Sequence, residues 1–167
     1  MNSQTPQIQL PKPDWSWHGF SALSTSGLYQ ILHLRQQVFV IEQQCAYDDI
    51  DNHDQVAFHL CGVNSTNQTL QAYLRVLPPG TRFEESSIGR IVTAAECRGC
   101  GLGHELMRQS MDFCRDRFPG TAIRLSAQTH LQPFYAAHGF MTVTPEHLID
   151  GISHVEMLLR CSSPGTC

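Results

Sequence analysis

The sequence predicts an α/β fold organised as one domain. Short apolar runs typical of strands alternate with stretches whose apolar residues recur at helical spacing. Proline and glycine separate these runs, as where Pro78-Pro79-Gly80 follows the apolar run 70–77. A chain of 167 residues can bury roughly 70% of its unfolded surface in a single core. The predicted order of elements is β-α-β-β-β-α-β-α-β-β.

The first two elements are an edge strand and a helix. Residues 15–20 alternate large apolar and small polar side chains, which predicts a strand at the edge of the sheet. Ser24 or Thr25 can cap the helix that follows, and apolar residues recur at helical spacing to about Ile41. Arg35 falls on this apolar stripe, where we expect a structural role, either paired with a buried carboxylate or reaching along the surface to solvent.

A loop over residues 47–54 carries a cluster of aspartates: Asp48, Asp49, Asp51 and Asp54. We favour a solvated loop, with attraction of a cationic amine as the alternative interpretation. A calcium loop that started at Asp49 would need glycine at its sixth position and glutamate at its twelfth, where this chain has Asp54 and Leu60. The sequence therefore predicts no metal site.

The remaining elements follow in order along the chain. The strands are predicted over 56–63 and 70–77, which form a hairpin, and over 88–93, 122–127, 140–143 and 154–159. One amphipathic helix begins near Leu102 and ends at Pro119-Gly120, and a short helix over 131–138 is closed by Gly139. Residues 1–13 are predicted to be a flexible leader, 14–161 the single domain and 162–167 a tail.

Composition excludes several classes of protein. The formal net charge of -4 lacks the basic excess of a nucleic-acid binder. Residues 1–13 do not have the pattern of a signal peptide, and no apolar run has the length of a membrane span. Seven scattered cysteines suit reduced thiols better than a disulfide framework. We therefore expect a cytoplasmic protein that binds neither nucleic acid nor membrane.

The most informative stretch is Arg98-Gly99-Cys100-Gly101-Leu102-Gly103, which lies between a predicted strand and a predicted helix. Glycine lets the backbone approach a ligand closely, and the first turn of a helix offers unpaired N–H groups at its positive end. Together these features favour a phosphate, and a pyrophosphate in particular. The glycine spacing differs from the Gly-x-Gly-x-x-Gly of dinucleotide-binding oxidoreductases, and no early strand precedes the loop in a βαβ unit, so that class fits the sequence poorly.

Two motifs resemble those of the GNAT superfamily of acetyl-CoA-dependent N-acetyltransferases. The glycine loop matches the superfamily's Arg/Gln-x-x-Gly-x-Gly/Ala pattern, and residues 134–140 match its Phe-Tyr-x-x-x-Gly-Phe element. Residues 34–43, the aspartate loop, 73–76, 126–128 and 150–154 resemble the ElaA-like branch. The resemblance covers most of the chain, and it implies a mixed, mostly antiparallel central sheet flanked by helices.

The resemblance also implies where acetyl-CoA binds. The backbone N–H groups from Cys100 through Gly101, Leu102 and Gly103 to His104 hold the pyrophosphate, and Arg98 and Gly99 form the loop entrance. Ile91, Val92 and Thr93 pair with the pantetheine arm, and Gln128 is a further cofactor-binding residue.

Direct acetyl transfer needs an acid, an oxyanion site and a base. Tyr135 matches the superfamily's usual acid, a phenol near the sulfur of CoA, and a backbone N–H near Val92 or Thr93 would meet the oxyanion. That strand typically splays from its neighbour in the superfamily. Glu42, His59 and His154 are candidates for the base that takes the proton of the amine.

The favoured function is thus an N-acetyltransferase that carries acetyl from acetyl-CoA to a primary amine of a small molecule or peptide. The attack is direct, within a ternary complex. The alternative is a CoA-binding sensor or interaction module without turnover. Edge strands in a small α/β domain also make a homodimer compatible with the sequence.

Overall fold

The computed structural model describes residues 12–161, which form three helices and one sheet of eight strands. The strands are β1 (Asp14–Gly19), β2 (Phe58–Val63), β3 (Leu70–Leu77), β4 (Ser86–Thr93), β5 (Ile123–Gln128), β6 (Met141–Thr142), β7 (His147–Ile149) and β8 (Ile152–Leu159). The helices are α1 (Thr25–Arg35), which continues as a π-helical segment over Gln36–Glu42, α2 (Leu102–Arg117) and α3 (Gln132–Ala136). The predicted leader and tail lie largely outside the described residues.

The strands lie in the order β1-β2-β3-β4-β5-β8-β6, and β7 also pairs with β8. Every pairing is antiparallel except that of β4 with β5, which is parallel. This confirms the predicted mixed, mostly antiparallel sheet, and the predicted edge position of the first strand. The predicted hairpin is confirmed as well, because β2 pairs directly with β3.

The parallel pair separates soon after it forms. Only Ser86 with Ile123 and Ser87 with Arg124 are paired between β4 and β5, although each strand continues for several residues. Strand β4 also contains a bulge opposite β3, between the pairs Arg75 with Gly89 and Tyr73 with Val92. The two strands therefore diverge and leave a V-shaped gap in the middle of the sheet.

The two long helices cover opposite faces of the sheet. Helix α1 buries Ile31 and Leu34 in a cluster with Tyr73 of β3, and α2 buries Leu106 and Met107 in a cluster with Leu74 of the same strand. Successive side chains of a strand point to opposite faces, which places one core on each side of β3. Ser24 begins α1, and its Oγ accepts a hydrogen bond from the Gly27 N–H at 3.0 Å, a contact worth about 1 kcal/mol.

Strand β7 is the element that the sequence analysis missed. It is three residues long and largely exposed, so it has no alternating apolar pattern. It pairs with the start of β8 across Asp150 and Gly151, whose φ angles of 50° and 81° are left-handed. An Asp-Gly pair is a strong signal for a two-residue hairpin turn, and it could have predicted this strand.

Among the described residues, no helix is both long enough and apolar enough to cross a membrane.

Candidate active site

The gap between β4 and β5 opens into a cleft with a volume of about 460 Å³. This volume lies within the range of roughly 300–1,000 Å³ that small-molecule sites usually occupy. The predicted site residues that line it are Glu42, Ile91, Val92, Thr93, Arg98, Gln128, Tyr135 and His154. The fold thus brings residues from six separate segments to one cleft.

The glycine loop has the backbone conformation that its sequence predicts. Gly99 and Gly101 have left-handed φ angles of 77° and 87°, and Gly101 immediately precedes α2. The Glu105 N–H donates to the Gly101 carbonyl at 3.1 Å, as the first i to i−4 hydrogen bond of α2. The N–H groups of Leu102, Gly103 and His104, in the first turn of the helix, therefore have no helical partners. A Cβ added at Gly101 would meet nothing within 4 Å. Glycine is therefore required there by the φ angle, while the space beside it is open to a ligand.

A second hollow of about 380 Å³ lies over this loop. Gly99, Gly101, Leu102, Gly103, His104 and Phe134 line it, together with Thr93 and Arg98. Thr93 and Arg98 also line the main cleft, so the two spaces meet at these residues. Next to the loop, Nδ1 of His104 lies 2.9 Å from Nε2 of His138. The two neighbouring spaces, together called the slot, extend from the N-terminus of α2 to the gap between β4 and β5.

Two other predicted cofactor-binding residues have partners within the chain. The Cys100 thiol donates to the Cys97 carbonyl at 2.7 Å. Nε2 of Gln128 donates to Oε1 of Gln43 at 3.1 Å, which ties β5 to the end of the π-helical segment. Both Gln128 and Gln43 line the cleft, so this hydrogen bond links two of the segments that form it.

Arg98 and Glu42 face each other at the point where the hollow meets the cleft. Both guanidinium NH₂ groups of Arg98 donate to Glu42, each at 2.8 Å, which is a bidentate ion pair. The hydrogen bonds from Arg98 hold the pKa of Glu42 below its usual value. The two side chains are 43% and 46% exposed, so solvent screens the pair and a ligand phosphate can compete for Arg98.

Tyr135 lines the cleft from α3. Its side chain is buried, with its ring edge-on to Phe134 and Phe140 at centroid distances of 5.1 and 6.5 Å. Burial raises the pKa of Tyr135 to about 12. The phenol is therefore protonated at neutral pH and is available as a hydrogen-bond donor in the cleft.

The backbone of β4 supplies a further donor. The Ala94 N–H donates to the Gln71 carbonyl at 2.8 Å, on the β3 side of the strand. Because hydrogen-bonded and free residues alternate along an antiparallel strand, the Thr93 N–H points away from β3 and into the gap. The bulge lies just before this residue, where Arg90 has a φ of 54°. The open side of β4 thus matches the predicted oxyanion site.

The structure contradicts His59 as a base. Its side chain is fully buried in β2, with Nδ1 2.7 Å from the Tyr73 hydroxyl and Nε2 2.9 Å from the Asp54 carbonyl. Burial lowers the pKa of His59, and both ring nitrogens are occupied. The prediction was wrong because a histidine in an apolar strand can point into the core, where both of its ring nitrogens find hydrogen-bond partners, instead of into a cleft.

His154, by contrast, lines the cleft from β8. Its Nδ1 lies 2.8 Å from the Ile152 carbonyl, and a contact with a carbonyl oxygen requires that this nitrogen carry the proton. In the neutral ring the other nitrogen, Nε2, is then a free acceptor. This tautomer suits a group that takes a proton.

The interpretation of residues 47–54 as a solvated loop was also wrong. Asp49, Asp51 and Asp54 are partly or fully buried in ion pairs with three arginines, namely Arg35, Arg75 and Arg90. The Asp54 Oδ1 atom alone accepts from Arg35 at 2.8 Å and from Arg75 at 2.7 Å. These carboxylates are neutralised within the chain, so they do not provide a free acidic field for a cationic amine either.

The network has a structural consequence for the cleft. Arg90 at the β4 bulge contacts Asp49 at 2.6 Å and Asp51 at 3.2 Å, so the loop is tied directly to the distorted part of the strand. Arg35 is buried on α1 and pairs with the carboxylates of Asp49 and Asp54. This confirms the first of the two roles that we expected for it. The aspartate loop therefore fixes the bulge in place.

The fold and the cleft define a class of protein, the CoA-dependent acyltransferases. The described fold is similar to that of an acyl-CoA N-acyltransferase from Pseudomonas aeruginosa, with a TM-score of 0.83, 38% sequence identity and coverage of 87% of this chain and 98% of the other. The crystal structure of Escherichia coli ElaA gives a TM-score of 0.81, also at 38% identity, with coverage of 87% and 98%.

The sequence comparisons assign the family. The model of the acetyltransferase (GNAT) domain matches residues 36–161. Protein ElaA of Escherichia coli K12 is 38% identical over 144 residues, which cover 86% of this chain and 94% of ElaA. The chain belongs to the GNAT acetyltransferase family.

Proposed function

We propose that the protein transfers an acetyl group from acetyl-CoA to a primary amine, by direct attack in a ternary complex. The observation that carries this proposal is that the hollow over the glycine loop and the cleft at the gap between β4 and β5 are neighbours and share Thr93 and Arg98 as lining residues. The similarity to an acyl-CoA N-acyltransferase supports an acyl-CoA as the donor. The six cysteines of residues 12–161 are free thiols, which fits the reducing cytoplasm as the place of reaction.

We expect the donor to extend along the whole slot. The pyrophosphate would bind the N–H groups from Cys100 to His104, where the helix dipole and the left-handed glycines favour an anion. Arg98 would leave Glu42 to neutralise a phosphate. The pantetheine arm would pair with the open side of β4 at Ile91 and Thr93, and so bring the thioester to the gap.

The transfer then proceeds through a sequence of events at this gap. The ammonium of the acceptor loses a proton to a base, and the neutral amine attacks the thioester carbon. The Thr93 N–H stabilises the oxygen that becomes negative. The C–S bond breaks, the Tyr135 phenol gives a proton to the sulfur, and the nitrogen of the new amide loses its second proton to solvent, from which the Tyr135 phenolate regains a proton. Free CoA and an amide are the products.

We further propose that His154 takes the first proton through Nε2, directly or through one water, while Glu42 holds Arg98 in the free protein. Replacing His154 with glutamine is expected to lower kcat at least tenfold at neutral pH, because the base is lost. Glu42→Gln is the matched control on the opposite wall and keeps kcat within about threefold. The measurement is the rate of thiol release from acetyl-CoA with a primary amine. If only Glu42→Gln lowered kcat strongly, Glu42 would be the base and His154 would not.

Binding of the donor is tested by calorimetry with acetyl-CoA. In Gly101→Glu the new carboxylate repels the pyrophosphate, and we expect the Kd to rise about 100-fold, or about 2.7 kcal/mol. Gly120→Glu is the matched control, because Gly120 has a similar φ of 79°, is exposed and follows the far end of α2. It imposes the same strain and charge, but away from the slot. If the wild-type protein bound no acetyl-CoA, the proposed function would be wrong.

A further inference from the structure

Two histidines beside the glycine loop form a hydrogen-bonded pair, here called the histidine pair. His104 is the third residue of α2, and His138 follows the end of α3. Nδ1 of His104 lies 2.9 Å from Nε2 of His138, so these two nitrogens share one hydrogen. Nε2 of His104 has no hydrogen-bond partner among residues 12–161. It is therefore free to bind a ligand.

The histidine pair lies at the hollow over the glycine loop. His104 lines this hollow together with Phe134, and His104 is exposed. The Phe134 ring contacts both imidazoles, with centroid distances of 4.9 Å to His104 and 5.3 Å to His138. A ligand in the hollow can thus reach His104. His138 does not line the hollow, so any effect it has on a ligand passes through His104.

Positive charge on the histidine pair is unfavourable in the free protein. His104 lies in the first turn of α2, at the positive end of the helix dipole, where a cation is destabilised. Burial and the neighbouring His104 hold the pKa of His138 below its usual value. Even an ordinary imidazole, with a pKa of about 6.5, is only about 10% protonated at pH 7.5. At that pH we therefore expect the free pair to be largely neutral.

The other charged groups around the hollow do not supply an anion to the pair. The titratable groups on the elements next to it are Cys97 and Arg98 in the lining of the hollow, Glu105 and Arg108 on α2, and Lys12, which acts on Glu105. Arg98 is paired with Glu42, and Glu105 is paired with Arg108. Within residues 12–161, no group of three or more metal-ligating side chains is placed to hold a metal ion. The arrangement thus suits an anionic ligand better than a metal.

We propose that the histidine pair binds the pyrophosphate of acetyl-CoA and takes up a proton from solvent as it does so. The inference rests on the proposed function, in which the pyrophosphate binds N–H groups of the same helical turn. A negative charge within about 4–6 Å favours the charged form of an imidazole. The added proton keeps the shared hydrogen bond: His104 donates from Nδ1 to His138 and from Nε2 to a phosphate oxygen. His138 is a positioning residue, because it accepts the bond that orients the His104 ring.

The test is the number of protons taken up when dephospho-CoA binds. This probe keeps the pyrophosphate but lacks the 3′-phosphate, a monoester whose own second pKa of about 6 would disturb the count. Calorimetry at pH 7.5, in two buffers with different heats of protonation, gives the number. We expect an uptake of about 0.5 proton or more per ligand in the wild type. The Kd should then be about threefold lower at pH 7.0 than at pH 8.0, because a lower pH favours the state that binds the proton.

Two variants assign the proton to the histidine pair. His104→Gln keeps a hydrogen-bonding side chain but cannot take up the proton, so the uptake should fall below about 0.1 and the Kd should no longer depend on pH. His138→Gln should lose more than half of the uptake. A merely structural role of either histidine would leave the number of protons unchanged. His147→Gln is the matched control and should keep the wild-type uptake, because His147 is exposed and lines neither space.

Each of four results would overturn the inference. They are the absence of uptake when the wild type binds dephospho-CoA, an uptake that survives in His104→Gln, an equal loss in His147→Gln, and an uptake seen with CoA but not with dephospho-CoA. The last result would assign the proton to the 3′-phosphate. If the wild type bound no acetyl-CoA at all, the proposed function itself would be wrong, so the two failures are distinguishable.

Discussion

Replacing Tyr135 with phenylalanine is expected to lower kcat by about 10²–10⁴, the usual contribution of a positioned acid. The aromatic ring keeps its contacts with Phe134 and Phe140, and only the proton donor is lost. The Kd for acetyl-CoA should therefore stay within about twofold of the wild type. Thiol release measures the first quantity, and calorimetry measures the second.

The control for this variant is Tyr29→Phe, since Tyr29 is 71% exposed on α1 and does not line the cleft. The pH dependence gives a second check. Burial raises the pKa of Tyr135 to about 12, so ionisation of the phenol should not reduce the rate at pH 10. An unchanged kcat in Tyr135→Phe would mean that the leaving sulfur receives its proton from another source.

The second large effect is on stability. Asp54→Ala is expected to lower the free energy of unfolding by about 3–5 kcal/mol, because it leaves two buried guanidinium groups without a shared carboxylate. Arg35 and Arg75 have side-chain exposures of 0% and 3%, so neither can turn to solvent. Denaturation in urea measures the loss. Asp48→Ala is the matched control, because Asp48 lies in the same loop but is exposed.

The same network predicts acid sensitivity. Burial opposes ionisation of Asp54, but the guanidinium groups of Arg35 and Arg75 outweigh it and hold the pKa of Asp54 below its ordinary value. The stability that this carboxylate provides is thus fully present above its unfolded pKa of about 3.9 and is lost as pH falls below that value. Asp54→Ala should flatten the decline of stability below pH 4. A decline as steep as that of the wild type would contradict the assignment.

Local signals predicted the parts of the fold that depend on neighbours in sequence. The proline pair after Leu77 ends β3 where the sequence analysis placed its end. The glycine loop and the start of α2 at Leu102 were likewise predicted, because left-handed glycines and helix starts have their own chemistry. The sequence also placed the first helix, although not the π-helical form of its last residues.

The features that sequence could not predict arise from partners distant in the chain. Asp49, Asp51 and Asp54 are partly or fully buried because they pair with Arg35, Arg75 and Arg90, which come from three other elements, and nothing in residues 47–54 shows this. The sequence around His59 does not show whether its side chain faces a cleft or, as in the structure, the Tyr73 hydroxyl in the core. The gap itself depends on where the pairing of β4 with β5 ends. The resemblance led us to expect the gap, but the residues of the two strands do not encode it in any visible pattern.

The most direct test of the account is a crystal structure of the protein with bound CoA. The account predicts the pyrophosphate at the N–H groups from Cys100 to His104, and the pantetheine arm in the gap between β4 and β5 with its sulfur near Tyr135. It also predicts that Arg98 leaves Glu42 for a phosphate oxygen. A CoA molecule bound elsewhere, or with its thiol pointing away from Tyr135, would contradict the proposed mechanism.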